Sequence, residues 1–437
     1  MTETESSLES SAAAIPLTRN LSFWGMTVAQ FLGAFNDNLF KQVVLLICVD
    51  LRKAGGGDYQ GVAQFLFALP FILFSGFAGF LSDRYSKRRI VVACKAAEVA
   101  IMVVGTIAVG VGSLPAALGI IFLMGTHSAF FGPSKFGILP ELVPPGQLPR
   151  ANGLFLMTTF LGIILGMGLA GVVKSTMTIS PWLAGPYFIG FAAIGTVAAW
   201  SVRSTAANRP GMPFDLGSLF VSRETRMTIL ADRALLVALG VSSLFWFCGG
   251  VVQPTVNAYG KLDLYHNLTV TDADVRTSLL AACLAVGIAA GCPLAGLVCR
   301  GRADFRVTIA GAWGIVAGLI VLAAVGAAAG PSEWVVRGLL LFVGASTGLF
   351  TVPLQVFLQS RPPADQRGRV LGAMNLVQWM AIAAAAVFYA AGDAVRTACG
   401  WPISTLFAMT ALVMLPVAIA YRPWRRVKAP ETAPNAP

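Results

Sequence analysis

Twelve nearly uninterrupted apolar stretches, each long enough to cross a bilayer, constrain this chain more than any other feature. They run at about 22–49, 61–82, 89–112, 114–132, 151–173, 181–202, 234–258, 277–299, 305–329, 334–357, 368–391 and 399–421. A hydrocarbon core about 30 Å thick is spanned by about 20 apolar residues in a helix. With no water there to satisfy backbone N–H and C=O groups, such segments must bond within themselves. The pattern predicts an all-α polytopic membrane protein with 12 transmembrane helices. Composition agrees, since 56% of the 437 residues are hydrophobic and only 12% charged, which lies outside the range of soluble globular domains.

A net charge of +11 would suit nucleic acid if it were gathered on one element. The basic residues are instead scattered among short connections, so no nucleic-acid partner is expected. Positive charge in short loops marks the cytoplasmic side. Placing the N-terminus inside puts 22 Lys and Arg on that side against seven on the other, so both termini are expected in the cytoplasm. Six spans fill 22–202 and six fill 234–421, separated by a basic connector at 203–233. The chain thus reads as two six-helix halves, with a disordered tail at 1–21 and a cytoplasmic tail at 422–437. In the connector, Phe214, Leu216, Leu219, Phe220, Met227 and Leu230 alternate with Arg223, Glu224 and Arg226, a pattern open to either a helix on the membrane surface or a solvated linker.

Several chemistries have no sequence support. The seven cysteines form no CxxC pair and no Cys/His spacing suited to zinc. No phosphate loop or dinucleotide fingerprint is present, so neither a metal nor a cofactor is expected. Gly344-Ala345-Ser346-Thr347-Gly348 matches a hydrolase pattern, yet it lies inside an apolar run rather than at a strand-to-helix turn. Together with Gly162/Gly166, Gly287/Gly291 and Gly314/Gly318, it reads as small residues that let helices pack closely. The chain is not expected to be an enzyme.

The segment from Ala29 to Gln42 breaks the apolar rule, with Asn36, Asp37, Asn38 and Lys41 in the middle of span one. Counted from Trp24, Asp37 lies roughly 20 Å along a helix at about 1.5 Å per residue, near the midplane. A charge there costs at least about 2.5–3.5 kcal/mol, so it should face an interior or cavity beside a partner, and Lys41 is one turn away. Lys95 and Glu98 in span three form a second mixed pair, open to either a structural or a coupling role. His127 in span four is read as a hydrogen-bonded structural residue rather than a proton switch. The amides Gln355, Gln359, Asn375 and Gln378 are read mainly as links between helices.

Between spans two and three, Gly79-Phe80-Leu81-Ser82-Asp83-Arg84-Tyr85-Ser86-Lys87-Arg88-Arg89 resembles the G-x-L-x-D-R-x-G-R-R-R loop of the major facilitator superfamily of secondary transporters, with Ser86 replacing the usual glycine. Gly79 is expected to permit close helix approach, and Asp83 to pair with nearby cations or cap a helix. Gly79, Asp83, Arg84 and Arg88 are therefore candidates for a conformational latch. The equivalent loop of the second half, Gly296 to Arg306, has Arg300 where Asp83 stands.

Gly132-Pro133-Ser134-Lys135-Phe136-Gly137-Ile138-Leu139-Pro140-Glu141-Leu142 and Arg150-Ala151-Asn152-Gly153-Leu154, taken with the polar segment of span one, resemble the bacterial lysophospholipid transporter family. Some versions of that family are fused to acyltransferase and acyl-ligase domains. The resemblance implies a major facilitator fold that moves lysophospholipid, typically 2-acyl-glycerophosphoethanolamine, from the outer to the inner leaflet of the bacterial inner (cytoplasmic) membrane for reacylation. It further implies that Asp37 and Asn38 are the polar pair of span one, that Lys135 is the lysine of a proline-x-lysine loop, and that Glu141 and Asn152 are the polar positions that follow. Gln253 stands where some members carry a basic residue, which leaves the headgroup preference open. A zwitterionic headgroup needs a cation for its phosphate and an anion for its ammonium. Asn36, Asp37, Asn38, Lys41 and Gln253 are the expected binding residues, and Lys135, Glu141 and Asn152 join the gate. Membrane lipids and a separate cytoplasmic-side acyltransferase are the expected partners. Two rivals remain: a proton-coupled carrier of a small polar solute or drug, titrating at Asp37 or Glu98, and a scaffold that serves an acyltransferase without moving lipid.

Overall fold

The computed structural model describes residues 16–144, 147–207, 211, 223–299, 304–328, 332–362 and 367–421, and its long elements are all helices. We number the twelve long apolar helices α1 (Leu21–Lys53), α2 (Gln60–Arg84), α3 (Lys87–Gly110), α4 (Leu114–Gly137), α5 (Leu148–Thr176), α6 (Gly185–Trp200), α7 (Arg233–Ala258), α8 (Val270–Cys299), α9 (Phe305–Ala327), α10 (Glu333–Ser360), α11 (Arg367–Ala398) and α12 (Thr405–Ala420). Among the described residues eleven are long and apolar enough to cross a membrane, α6 together with the turn Pro181–Ala184 that leads into it, and α12 is a shorter apolar helix. Polar caps start several of them: Asn20 accepts from the Phe23 N–H at 3.0 Å, and Asp232 accepts from Ala234 and Leu235 at 3.1 and 3.2 Å, each satisfying amides that the helix leaves free.

The chain divides into two compact units, Met1–Phe220 with Asn267–Ala282 and Val221–His266 with Cys283–Pro437. In the first, α1 packs on α5 and α6, α2 on α4, and α3 on α4 and α6. In the second, α7 packs on α11 and α12, and α9 on α10 and α12, while α8 meets α10 through Gly287, Gly291, Gly344 and Gly348. The two units therefore repeat one packing scheme helix for helix. Large apolar side chains such as Val104, Val197, Leu297, Val387 and Leu412 lie more than half exposed, as expected where the neighbour is lipid rather than water.

Glycine sets the closest approaches. A Cβ on Gly162 would fall 2.7 Å from the Phe31 carbonyl oxygen, and one on Gly166 would strike the Phe35 carbonyl, so α1 and α5 touch backbone to backbone. The segment from Gly344 to Gly348 is a packing surface as well: Ser346 is buried, and a Cβ on Gly314 of α9 would lie 2.8 Å from its Cβ. Polar side chains add directed links. Gln30 donates to the Phe155 carbonyl (3.0 Å) and the Thr158 hydroxyl (2.7 Å), and Gln378 donates to Ser242 at 2.9 Å. At the far end of α5, Lys174 pairs with Asp50 of α1 and, at 2.5 Å, with the fully buried Asp274 of α8.

Three expectations are refined. Within the stretch assigned to the N-terminal tail, a turn at Leu17–Arg19 precedes α1 and its Leu17, only 5% exposed, joins the core. Helix α4 continues past residue 132 to Gly137, so Pro133 and Lys135 lie on a helix and not in a loop. The connector contains a helix at Arg223–Ala231 that buries Thr225 and Ile229, which is packing rather than a free linker. Phe214, Leu216, Leu219 and Phe220, together with the 422–437 tail and Arg300, lie outside the described residues.

Two stability outcomes follow. Gly166→Leu should lower the melting temperature of the detergent-solubilised protein, consistent with an overpacking cost of about 1–3 kcal/mol, whereas Gly240→Ala, whose Cβ meets nothing within 4 Å, should leave it unchanged. At the start of α7, burial pushes the Asp232 carboxyl upward. The hydrogen bond from Arg361 (2.6 Å), the helix amides and the guanidinium charge outweigh it and hold the group below its ordinary value. A folded value below the unfolded one contributes stability that is complete at neutral pH and is lost as pH falls below about 4. Thermal melts from pH 7 to pH 3 should show the advantage of the parent over Asp232→Asn shrinking at the acidic end.

Candidate functional site

Charged side chains from three helices meet inside the first unit. Asn36 and Glu98 are fully buried, Lys95 is 1% exposed, and Asp37, Lys41 and His127 are 7–8% exposed. Low dielectric makes any one of these charges costly alone, so the partners decide whether the arrangement is tolerable.

Glu98 of α3 is the hub. Its Oε2 pairs with Lys95 Nζ at 2.5 Å and lies 3.4 Å from His127 Nε2 of α4, while its Oε1 accepts from Asn36 Nδ2 of α1 at 3.3 Å. The same Asn36 amide also donates to the Phe188 carbonyl of α6 at 3.1 Å. Lys95 fits because glycines line its path: a Cβ on Gly33 would stand 2.8 Å from Nζ, and one on Gly195 would stand 3.2 Å from it. The Phe131 ring centre lies 5.7 Å from that ammonium, within cation–π range.

From this hub a polar chain runs to Asp37. The Ser128 hydroxyl donates to Asp37 Oδ2 at 2.5 Å and lies 3.4 Å from His127 Nδ1, which itself sits 3.0 Å from the Met124 carbonyl. Asp37 Oδ1 and Asn36 Oδ1 are buried without a hydrogen-bond partner among the described residues. Lys41 lies 4.9 Å from the Phe67 ring centre and interacts electrostatically with Asp37. Lys135, in the last turn of α4, interacts with Asp37 and Lys95. The set holds three lysines, a histidine and two carboxylic side chains, and Asp37 Oδ1 remains able to accept a donor.

The structure sorts the sequence candidates unevenly. Asn36, Asp37, Lys41, Lys95, Glu98 and Lys135 come together, whereas the Asn38 amide turns back to the Ala34 carbonyl of its own helix at 2.8 Å. His127 lies 3.4 Å from Glu98 and 3.0 Å from the Met124 carbonyl, and its neighbour Ser128, absent from the sequence candidates, holds Asp37. Two adjacent polar residues in an apolar helix were the available signal, but no spacing relates 37, 98 and 127. Gln253 is half-buried on α7 in the second unit, and the side chain of Asn152 lies outside the described residues.

The latch candidates also separate. A Cβ on Gly79 would meet nothing within 4 Å, and Asp83 is exposed, with no ion pair among the described residues, so the close approach and pairing expected of them are not made there. Arg88 instead donates to the Val202 and Trp200 carbonyls at 2.5 and 3.2 Å, closing the end of α6. Glu141, in the short helix Leu139–Leu142, pairs with Lys87 at 2.5 Å and its carbonyl accepts from Arg203, so its partner is a lysine outside the sequence candidates.

Removing one member of a buried pair strands the other. Lys95→Met or Glu98→Gln alone should destabilise the protein by about 3–5 kcal/mol, and the double variant should recover most of that loss. Thermal melts of the four proteins in one detergent measure the difference.

The comparisons with known proteins match this architecture. The family model of the Major Facilitator Superfamily matches residues 26–386. The lysophospholipid transporters LplT of Salmonella newport (strain SL254) and Salmonella typhimurium (strain LT2) are each 30% identical over 359 residues, covering 78% of this chain and 82% of theirs. Among solved structures, an auto-inhibited POT family peptide transporter aligns with a TM-score of 0.69 at 13% identity, covering 95% of this chain and 99% of its own, and the nucleoside transporter NupG aligns with a TM-score of 0.67 at 12%, covering 91% and 98%. These structural likenesses speak to the fold alone. With its twelve apolar helices, twice-repeated packing scheme, matched family model and transporter relatives, the chain belongs to the Major Facilitator Superfamily of multi-pass membrane transporters and is not an enzyme.

Proposed function

We propose that this protein moves lysophospholipid, with 2-acyl-glycerophosphoethanolamine as its leading substrate, from the outer to the inner leaflet of the bacterial cytoplasmic membrane, with both termini in the cytoplasm. A separate acyltransferase on that side consumes the product. The LplT name of its relatives supports the substrate class. The observation that carries the reading is Asp37, a buried carboxylate with one oxygen held by Ser128 and the other without a donor among the described residues.

A buried acceptor left without a donor costs about 1–3 kcal/mol, and more when charged. A headgroup ammonium supplies both the donors and the opposite charge. Lys41 and Lys135, each interacting with Asp37, are the cations for the phosphodiester, and charge-assisted bonds of this kind are the strong ones. Asn36 Oδ1 is a further acceptor. The acyl chain stays in lipid or in an apolar groove. Gly79, Asp83, Arg84, Arg88, Lys135, Glu141 and Asn152 act in gating as the two six-helix halves rock in alternating access, with Lys87 joined to them through Glu141.

The test is leaflet-resolved movement of labelled lyso-phosphatidylethanolamine in proteoliposomes. Asp37→Asn, folded and inserted like the parent, should slow translocation about tenfold, the equivalent of about 1.4 kcal/mol. An unchanged rate overturns the role of Asp37. A second reading, the proton-coupled carrier of a small polar solute, draws on His127 lying 3.4 Å from Glu98 and 3.4 Å from the Ser128 hydroxyl that holds Asp37. Uptake driven by an imposed pH gradient, with no lysolipid movement, would favour it.

A further inference from the structure

One charged feature of the first unit lies apart from the buried cluster, and its Arg84 is also among the gating residues proposed above. Where α2 hands over to α3, a cleft of about 440 Å³ is lined by Arg84, Tyr85, Ser86, Arg89, Ser204 and Thr205. Four basic residues crowd this turn, and two are already engaged, Lys87 with Glu141 and Arg88 with the end of α6. Arg84 and Arg89 form no ion pair among the described residues; Arg84 lies 5.7 Å from each of the Phe80 and Tyr85 ring centres. Two guanidiniums thus share a concave surface with four hydroxyl groups, those of Tyr85, Ser86, Ser204 and Thr205, and no carboxylate among its lining residues.

The floor of the cleft is built rather than incidental. Thr205 is nine-tenths buried, its Oγ1 accepts from the Arg88 N–H at 3.3 Å, and it lies 3.2 Å from the Ser86 hydroxyl. These contacts hold the start of the connector against the start of α3 and fix the distance across which the two arginines work. The first turn of α3 contains no acidic residue, and Ser86 makes no capping bond to it, so the positive pole of the helix adds to the guanidiniums instead of being neutralised.

Planar guanidiniums together with hydroxyl donors recognise phosphate, which they bind through paired N–H···O bonds. The source is argued from position. The cleft lies at the ends of two apolar helices, and Tyr85 beside it is 46% exposed, with Leu73 of α2 51% exposed. An aromatic ring next to arginines at the end of a spanning helix is the pattern of the headgroup layer, and basic pockets between such helices take acidic lipid headgroups. We propose that this cleft binds the phosphate of an anionic phospholipid in the adjacent leaflet. The site is separate from the lysophospholipid site and does not depend on that reading.

Native mass spectrometry of the purified full chain with added phosphatidylglycerol or phosphatidylethanolamine tests it. The parent should retain phosphatidylglycerol in preference, and the Arg84→Gln/Arg89→Gln double variant should lose about tenfold in that retention without a change in its binding of phosphatidylethanolamine. Ser204→Asp, an exposed position at the rim, should reproduce the loss if the double variant is poorly folded. Arg226→Gln, on the exposed face of the connector helix, should bind as the parent does. Equal retention by the parent and both cleft variants overturns the site. Inorganic phosphate competing at the same concentration as the lipid overturns the lipid assignment in favour of a soluble anion.

Discussion

A bilayer interior offers no water to a buried ion, and the first unit is organised around meeting that constraint at Glu98. Lys95 neutralises it from the same helix, His127 and Asn36 reach it from α4 and α1, and Asn36 passes the connection on to α6. Four helices are thereby held in one register by one carboxylate. Replacing the group by an apolar side chain would relieve the desolvation cost but dissolve the register, which is the recognised use of buried polar networks.

That arrangement depends on the helices coming close enough. Side chains as short as those of Asn36 and Asp37 span the gap between helices only when backbones nearly touch, and the glycines at 162 and 166 let α1 settle against α5 while those at 33 and 195 clear space for the Lys95 ammonium. The same small-residue device recurs in the second unit between α8 and α10. With lipid on the outside there is little hydrophobic gain from bringing helices together, so close packing and directed polar bonds carry the association.

Charge is divided between two environments. In the buried cluster of the first unit, lysines and carboxylic side chains of both signs stand together and leave Asp37 Oδ1 without a donor among the described residues, an arrangement suited to a zwitterion that brings one charge of each sign. At the end of α2 and α3, two arginines share a cleft with hydroxyl groups and no opposing acid among its lining residues, which suits a net anion.

The sequence by itself determined the class of fold and the number of its long helices, because only a helix can satisfy its backbone over 20 apolar residues and the pattern of such runs is local. It also marked Asp37, Lys41, Lys95 and Glu98, since charge inside an apolar run stands out without any knowledge of neighbours. Which of these belong together was decided only by the tertiary structure. Glu98 meets His127 and Asn36 across separate helices, Asn38 turns back on its own helix, Lys135 sits on α4 rather than in a loop, and the partner of Glu141 is Lys87. These pairings depend on how each helix is rotated about its axis and how far it is shifted along it. Both quantities are set by glycine contacts and interhelical bonds between residues distant in the chain, and a uniformly apolar sequence carries little periodicity from which to read them.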